Sequence, residues 1–205
     1  EIIFTSGGTE ADNTLISSGI RTYGLKHIIS SPIEHHAVTH TIQQMVRSAG
    51  VTLHHVELDK NGHVNMDHLE KLLSTFPKAL VSLMHANNEL GNLLDIRKVA
   101  AMCDEHDAFF HSDTVQTVGH YRHDLKDLKV CGIAGAAHKF HGPKGIGFMY
   151  LRKGKKIDPI LHGGAQAVPT IAAFTRAGTH TRAPTIQCNQ RSQPHNPPPR
   201  SPRRR

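Results

Sequence analysis

The chain has 205 residues and a formal net charge of +7, but seven of its 24 Lys and Arg residues and none of its 17 acidic residues follow Gln166. Residues 1–166 therefore carry equal numbers of both signs, and no run in the chain is long and apolar enough for a membrane span or a secretion signal. The 3 cysteines include no Cys-x-x-Cys pair, which argues against a zinc ribbon or a disulfide framework and favours a reducing compartment.

Strand-like apolar runs alternate with helical patterns along the first four-fifths of the chain. In the clearest helical pattern, Asp95 is placed to cap a stripe of apolar residues that ends at Cys103. This alternation predicts an α/β fold in which a mainly parallel sheet is covered by helices. The strand-like runs lie near Ile2–Thr5, His27–Ser30, Val51–Val56, Ala79–Met84, Ala108–His111, Val130–Ala134 and Ile146–Leu151.

A glycine turn follows the first apolar run. Ser6-Gly7-Gly8-Thr9 leads into a helical pattern that begins near Glu10. Free N–H groups at such a helix start favour an anionic phosphate, and the Thr9 hydroxyl is a further donor. Taken alone, the segment is equally consistent with an ordinary strand-turn-helix connection.

Asp113 and Lys139 each follow a later strand-like run. A carboxylate at the carboxyl end of a parallel strand can keep a pyridine nitrogen protonated, although Asp113 alone could also be a helix N-cap. A lysine at a strand end can act as a nucleophile when it lies in a cavity, although most lysines are only solvated. Together with the glycine turn, these residues supply what a pyridoxal phosphate site needs.

Five segments resemble the cysteine desulfurases, a family of fold-type I pyridoxal phosphate enzymes whose near relatives act on selenocysteine. The similarity runs from residue 1 to His162-Gly163-Gly164, and it implies the large cofactor domain of that family. The matching segments are Phe4-Thr5-Ser6-Gly7-Gly8-Thr9-Glu10, Glu34-His35-His36-Ala37-Val38, Met84-His85-Ala86-Asn87-Asn88-Glu89-Leu90-Gly91, His111-Ser112-Asp113-Thr114-Val115-Gln116 and His138-Lys139-Phe140-His141-Gly142-Pro143-Lys144-Gly145.

The resemblance implies a role for eight residues. Lys139 would form the Schiff base and act as the base at the substrate α-carbon, and Asp113 would pair with the pyridinium nitrogen. His35 would stack on the cofactor ring. Gly8, Thr9 and His138 would bind the phosphate. Asn88 and Gln116 would lie near the phenolic oxygen of the cofactor and the substrate.

The chain departs from the family pattern in three places. Ala136 stands where many relatives carry a serine that binds the phosphate. After Gln166 the family spacing is lost, and Arg176-Ala177-Gly178-Thr179 arrives too late for Thr179 to be assigned to the phosphate. The reactive cysteine loop of the family has no counterpart, because Cys188 lacks its context.

The segment after Gln166 differs from the rest in composition. Residues 167–205 hold seven of the 11 prolines and all of the excess charge. We therefore expect residues 1–166 to form an incomplete cofactor domain and residues 167–205 to form a basic, disordered tail or the product of a frameshift.

The resemblance implies a fragment of a cysteine desulfurase. The intact family converts L-cysteine to L-alanine and passes the sulfur to an enzyme cysteine for iron-sulfur cluster or thio-cofactor synthesis. It implies a cytoplasmic homodimer that serves a sulfur-acceptor protein, with no membrane contact. The alternatives are a selenocysteine lyase, another class V aminotransferase-like enzyme, an arginine-dependent nucleic-acid-binding protein and a non-catalytic remnant. We expect no metal site, since the pair His36 and His40 has no third ligand at a suitable spacing.

Overall fold

A seven-stranded mixed sheet forms the centre of the protein in a computed structural model, which describes residues 1–160. The strand order is β1-β7-β6-β5-β4-β2-β3. The five strands from β2 to β6 pair in parallel, whereas β7 lies antiparallel to both β1 and β6. The strands are β1 Ile2–Thr5, β2 His27–Ser30, β3 Thr52–His55, β4 Leu80–Ser82, β5 Phe109–Asp113, β6 Gly132–Ala136 and β7 Gly147–Leu151.

Within residues 1–160, four α-helices cover the two faces of the sheet. Apolar residues of α1 and α2 belong to one buried cluster, and those of α3 and α4 belong to a second cluster on the opposite face. The connections from β2 to β3, from β3 to β4 and from β4 to β5 each place a helix against the sheet, as expected for an α/β fold, whereas the connection from β5 to β6 contains no helix. The helices are α1 Gly8–Tyr23, α2 His36–Ala49, α3 Met66–Thr75 and α4 Ile96–Glu105.

Adjacent strand residues contribute to opposite clusters. In β5, Phe109 packs with α1 and α2, while Phe110 packs with α3 and α4. In β2, Ile28 and Ile29 divide in the same way, and both are fully buried. Because side chains alternate between the faces of a strand, these continuous apolar runs identify a sheet covered on both sides.

The structure confirms the predicted α/β fold and shifts several boundaries. Asp95 caps α4 as expected, since its Oδ1 accepts a hydrogen bond from the Lys98 N–H at 3.0 Å. Helix α1 begins at Gly8, inside the predicted turn. Strand β6 ends at Ala136, two residues beyond the apolar run, because its antiparallel pairing with β7 continues to that residue.

Several predictions fall on residues that the structure does not describe. These are the boundary at Gln166, the tail 167–205, Thr179 and Cys188. Within residues 1–160, no helix has the length and apolar character needed to cross a membrane.

Candidate functional site

A cavity of about 470 Å³ lies where the carboxyl ends of the parallel strands meet the start of α1. All eight residues predicted for the cofactor site line this cavity, although they come from five separate segments of the chain. Four further residues complete the lining: Asp12, Met84, Val115 and Ala136. The position agrees with the general rule that ligands of open α/β sheets bind at the carboxyl ends of the strands.

The N-terminal end of α1 forms one wall of the cavity through Gly8 and Thr9. The N-cap residue of α1 is Gly7, which has no side chain to accept a hydrogen bond from the first-turn N–H groups. Position 8 has no room for a side chain, because a Cβ there would lie 2.6 Å from the Val115 Cγ2 and 3.6 Å from the Ala136 Cβ. The first-turn N–H groups thus lie directly against the cavity, where they favour an anion.

Asp113 is the last residue of β5 and lies at the buried floor of the cavity. Its Oδ1 accepts a hydrogen bond from the Val115 N–H at 2.9 Å. No described helix begins at Asp113, so the N-cap alternative is wrong for this residue. Burial raises the pKa of Asp113 to about 7. A cation placed beside this carboxyl would offset the cost of ionising it.

Lys139 lies on a short 3₁₀ helix, Ala137–Phe140, that follows β6. The backbone there is held by two hydrogen bonds: the Lys139 carbonyl accepts from His120 Nε2 at 2.9 Å, and the Ala137 carbonyl accepts from the Gly142 N–H at 2.8 Å. The side chains of His138 and Lys139 are exposed and line the cavity. The lysine amine therefore extends from a fixed backbone and can move within the site.

His35 caps α2 and lines the cavity. Its Nδ1 accepts a hydrogen bond from the Ala37 N–H at 3.1 Å. An imidazole nitrogen that accepts a hydrogen bond carries no proton, so the neutral ring holds its proton on Nε2. The cap fixes both the orientation of the ring and its tautomer.

Asn88 and Gln116 lie on the loops that follow β4 and β5. The Asn88 loop is shaped by its buried neighbour Asn87, whose Oδ1 accepts from the Glu89 N–H at 2.8 Å and whose Nδ2 donates to the Ile33 carbonyl at 2.7 Å. These bonds tie the Asn88 loop to the segment that precedes His35.

The sequence reasoning missed three lining residues: Asp12, Met84 and Val115. Asp12 follows Gly8 by four residues and Thr9 by three, a spacing that places it on the same face of α1. Helical spacing was thus the signal that could have found it. Met84 and Val115 lie inside segments already assigned to the site, and Val115 is next to Gln116.

The other chemically notable side chains lie away from this cavity. His36 and His40 stack with ring centroids 5.1 Å apart on an exposed face of α2. Cys103 and Cys131 are both buried in the core, as expected.

Comparison with known proteins gives the family. The model of the aminotransferase class-V family matches residues 1–189. The chain belongs to this family. The match includes every residue that lines the cavity, and it also extends beyond Gln166 into the segment that the structure does not describe.

Cysteine desulfurases are among the curated proteins that are similar to this chain. The cysteine desulfurase IscS of Dictyoglomus turgidum is 44% identical over 169 residues, which are 81% of this chain and 42% of that protein. The cysteine desulfurase NifS of Azotobacter vinelandii is 40% identical over 186 residues, 91% of this chain and 45% of that protein. The chain therefore spans less than half the length of these relatives.

Solved structures of related proteins share the fold. A NifS-like protein superposes with a TM-score of 0.76 at 38% identity, covering 82% of this chain and 46% of that one. SspA in complex with cysteine superposes with a TM-score of 0.73 at 31% identity, covering 82% of this chain and 49% of that one. The large-domain fold predicted from the sequence is thereby confirmed.

Proposed function

We propose that the cavity binds pyridoxal 5'-phosphate and that the protein acts as a cysteine desulfurase, converting L-cysteine to L-alanine with transfer of the sulfur to a cysteine. One observation carries the proposal. Eight residues, to which the family resemblance gives roles toward one cofactor, come from five distant segments and line a single cavity. A chance arrangement would scatter them over the surface.

The residues present fit the cofactor at both of its ends. The cavity volume of about 470 Å³ lies within the range of ligand sites in proteins, roughly 300–1,000 Å³. The N-terminal end of α1 offers N–H donors to a phosphate, and Gly8 leaves room for it. Asp113, a buried carboxyl with a raised pKa, offers a partner to a protonated ring nitrogen.

Each residue has a definite task in the proposed reaction. When bound, the cofactor supplies an electron sink for negative charge at the substrate α-carbon. Asp113 would hold the proton on the ring nitrogen, and His35, whose Nδ1 accepts from the Ala37 N–H, would bind against the ring. Gly8, Thr9 and His138 would hold the phosphate. Lys139 would hold the aldehyde end and would move a proton at the α-carbon, for which its exposed side chain has the freedom.

Cysteine is the substrate that the relatives favour. The similar curated proteins are named cysteine desulfurases, and one similar structure holds cysteine. Selenocysteine remains the alternative substrate within the same chemistry. The homodimer, the sulfur-acceptor protein, the role in iron-sulfur cluster assembly and the cytoplasmic location are parts of the same proposal and rest on the resemblance to these enzymes.

Covalent labelling tests the cofactor site. The 205-residue chain is incubated with pyridoxal phosphate, reduced with borohydride, digested and mapped by mass spectrometry. Reduction fixes the cofactor to the lysine that holds it, so we expect the label on Lys139. Lys139→Ala should abolish this label. Lys144→Ala is the matched control, because Lys144 is exposed on the same connection but does not line the cavity.

A label on Lys144, or one spread over surface lysines, would contradict the assignment. A salt-sensitive affinity for nucleic acid that survives deletion of residues 167–205 would instead support the nucleic-acid-binding alternative.

A further inference from the structure

A buried pair of side chains joins the two elements that form the ends of the proposed cofactor site. Asp12 lies on α1, one turn after Gly8, and His111 lies on β5, two residues before Asp113. The Asp12 Oδ1 and the His111 Nε2 are 3.1 Å apart, and the exposed fractions of the two side chains are 1% and 0%. Only Asp12 of the two lines the cavity.

The surroundings of the pair determine its protons. The His111 Nδ1 lies 2.9 Å from the Ser82 Oγ, so both ring nitrogens have partners. Burial raises the pKa of Asp12 well above its usual value and lowers the pKa of His111 to about 4. Both shifts favour a pair without net charge, in which one proton lies between the carboxyl and the imidazole.

The three side chains have the composition of a hydrolytic Ser-His-Asp triad, but they cannot act as one. Ser82 is fully buried in β4 and does not line the cavity, so no substrate reaches its hydroxyl. The acid, and not the serine, faces the cavity. The group therefore holds structure and charge in place and does not attack a substrate.

We propose that Asp12 and His111 are a positioning pair for the cofactor: they tie the phosphate-binding end of α1 to the strand that carries Asp113, and they share one proton, so that Asp113 is the carboxyl that meets the cofactor as an anion. This inference rests on the proposed function. It adds a second carboxyl at the site and gives it a role.

The reason is geometric as well as electrostatic. A short methylene–oxygen linkage joins the phosphate of the cofactor to its ring, so the distance from the phosphate to the ring nitrogen varies only within a narrow range. The N-terminus of α1 and the end of β5 must therefore keep a matching separation. Asp12 and His111 join these two elements close to both contacts: Asp12 lies one helical turn after Gly8, and His111 lies two residues before Asp113. A second anion at the cavity floor would also compete with Asp113 for the single ring proton.

Two substitutions at one position separate these roles. Asp12→Asn keeps a group that can hydrogen-bond with His111, whereas Asp12→Ala removes it. The probe is pyridoxamine phosphate, which has both cofactor ends but no aldehyde, so its binding does not depend on Lys139. We expect Asp12→Ala to weaken its affinity about tenfold or more and Asp12→Asn to retain most of it. Inorganic phosphate, which uses only the α1 end, should bind both variants equally.

Ile16→Ala is the control for stability, since Ile16 is a fully buried α1 residue outside the cavity. It should lower the melting temperature without weakening pyridoxamine phosphate binding.

If Asp12→Ala does not fold, the test is the pH dependence of the affinity of Asp12→Asn for pyridoxamine phosphate. Asp113, Glu34 and His111 are the ionisable groups that interact with Asp12, and His35 interacts with Asp113. If the Asp12–His111 pair has no net charge, the midpoint of this pH dependence should be the same in Asp12→Asn as in the wild type.

Each contrary outcome has its own meaning. A lowered midpoint in Asp12→Asn would show that Asp12 carries a charge and would overturn the shared proton. Equal losses in Asp12→Asn and Asp12→Ala would show a direct ionic contact with the cofactor and would overturn the positioning role, as would wild-type affinity in Asp12→Ala. A wild-type chain that binds no pyridoxamine phosphate would overturn the proposed function itself.

Discussion

The Glu34 carboxyl accepts a hydrogen bond from the backbone N–H of Met84, with 3.0 Å between Oε1 and the amide nitrogen. The same oxygen accepts from the Ser31 hydroxyl at 2.7 Å, while the buried Oε2 has no partner within the described residues. This carboxyl joins the segment that ends at His35 to the chain that leads from β4 to Asn88. Two walls of the candidate site are therefore fixed by one buried acid.

Glu34→Gln should stabilise the chain increasingly as the pH rises. Burial raises the pKa of Glu34 from 4.5 to about 8. Between these values the unfolded chain loses the proton and the folded chain keeps it, so the free energy of unfolding falls with pH, by at most about 1.4 kcal/mol per pH unit. Glutamine keeps the accepting oxygen and has no such dependence.

Urea unfolding of both proteins at several pH values between 5 and 8 measures this difference. Below pH 4.5 the advantage of glutamine should disappear, because both states of the wild type are protonated there. Glu105→Gln is the control, since Glu105 is exposed at the end of α4. A constant difference across the pH range would show that Glu34 is ionised in the folded chain.

Cofactor affinity should rise as Asp113 ionises. Its pKa near 7 means that the carboxyl is largely protonated below that pH, where a cationic ring nitrogen would have to displace the proton. Affinity for pyridoxal phosphate should therefore increase as the pH rises through 7. Asp113→Asn should lose this dependence and bind about 10- to 100-fold more weakly, because a charged hydrogen bond is lost.

Fluorescence titrations at several pH values provide the measurement. Asp127→Asn, a change of the same kind at an exposed position outside the cavity, should behave as the wild type does. Equal pH dependence in Asp113→Asn would assign the titrating group to another residue or to the cofactor.

The sequence predicted the fold from local apolar patterns. It predicted the residues of the cavity from the glycine turn, from Asp113 and Lys139 at strand ends, and from the resemblance to a known family. Apolar runs predicted all seven described strands. Asp113 and Lys139 follow two of these runs, and the carboxyl ends of parallel strands meet at one edge of a sheet. Site residues that belong to no motif were harder to predict from the sequence. Asp12 gains its importance from His111, which is 99 positions away in the chain, and that contact exists only after α1 packs on β5.

Strand ends also depend on partners that a local pattern does not show. Strand β6 continues to Ala136 because β7 pairs with it, and β7 approaches from the antiparallel direction. The burial of a side chain also depends on distant partners. No local signal in the sequence indicates that Glu34 is enclosed and that its pKa is raised.

Gly8→Ala should weaken phosphate binding even though alanine favours helices. A Cβ at position 8 would lie 2.6 Å from the Val115 Cγ2, so either α1 or Val115 must move. Such a shift alters the donors at the helix start, and we expect a loss of about tenfold in affinity for pyridoxal phosphate. Val115→Ala in the same chain removes the clash and should restore most of the affinity.

Gly7→Ala is the matched control, because a Cβ there would meet nothing within 4 Å and the residue is extended, with φ 167°. Equal losses in Gly7→Ala and Gly8→Ala would indicate that any side chain in the turn impairs binding. The close contact with Val115 would then not be the cause.

Neither Cys103 nor Cys131 should serve as the cysteine that receives sulfur. Both thiols are buried, and burial raises the pKa of each, so the reactive thiolate is scarce. In the folded chain we expect iodoacetamide to leave both unmodified, whereas in urea both should react. Peptide mass spectrometry reads each site separately. Rapid alkylation of Cys131 under native conditions would show that the strand region opens, and it would make this thiol a candidate acceptor.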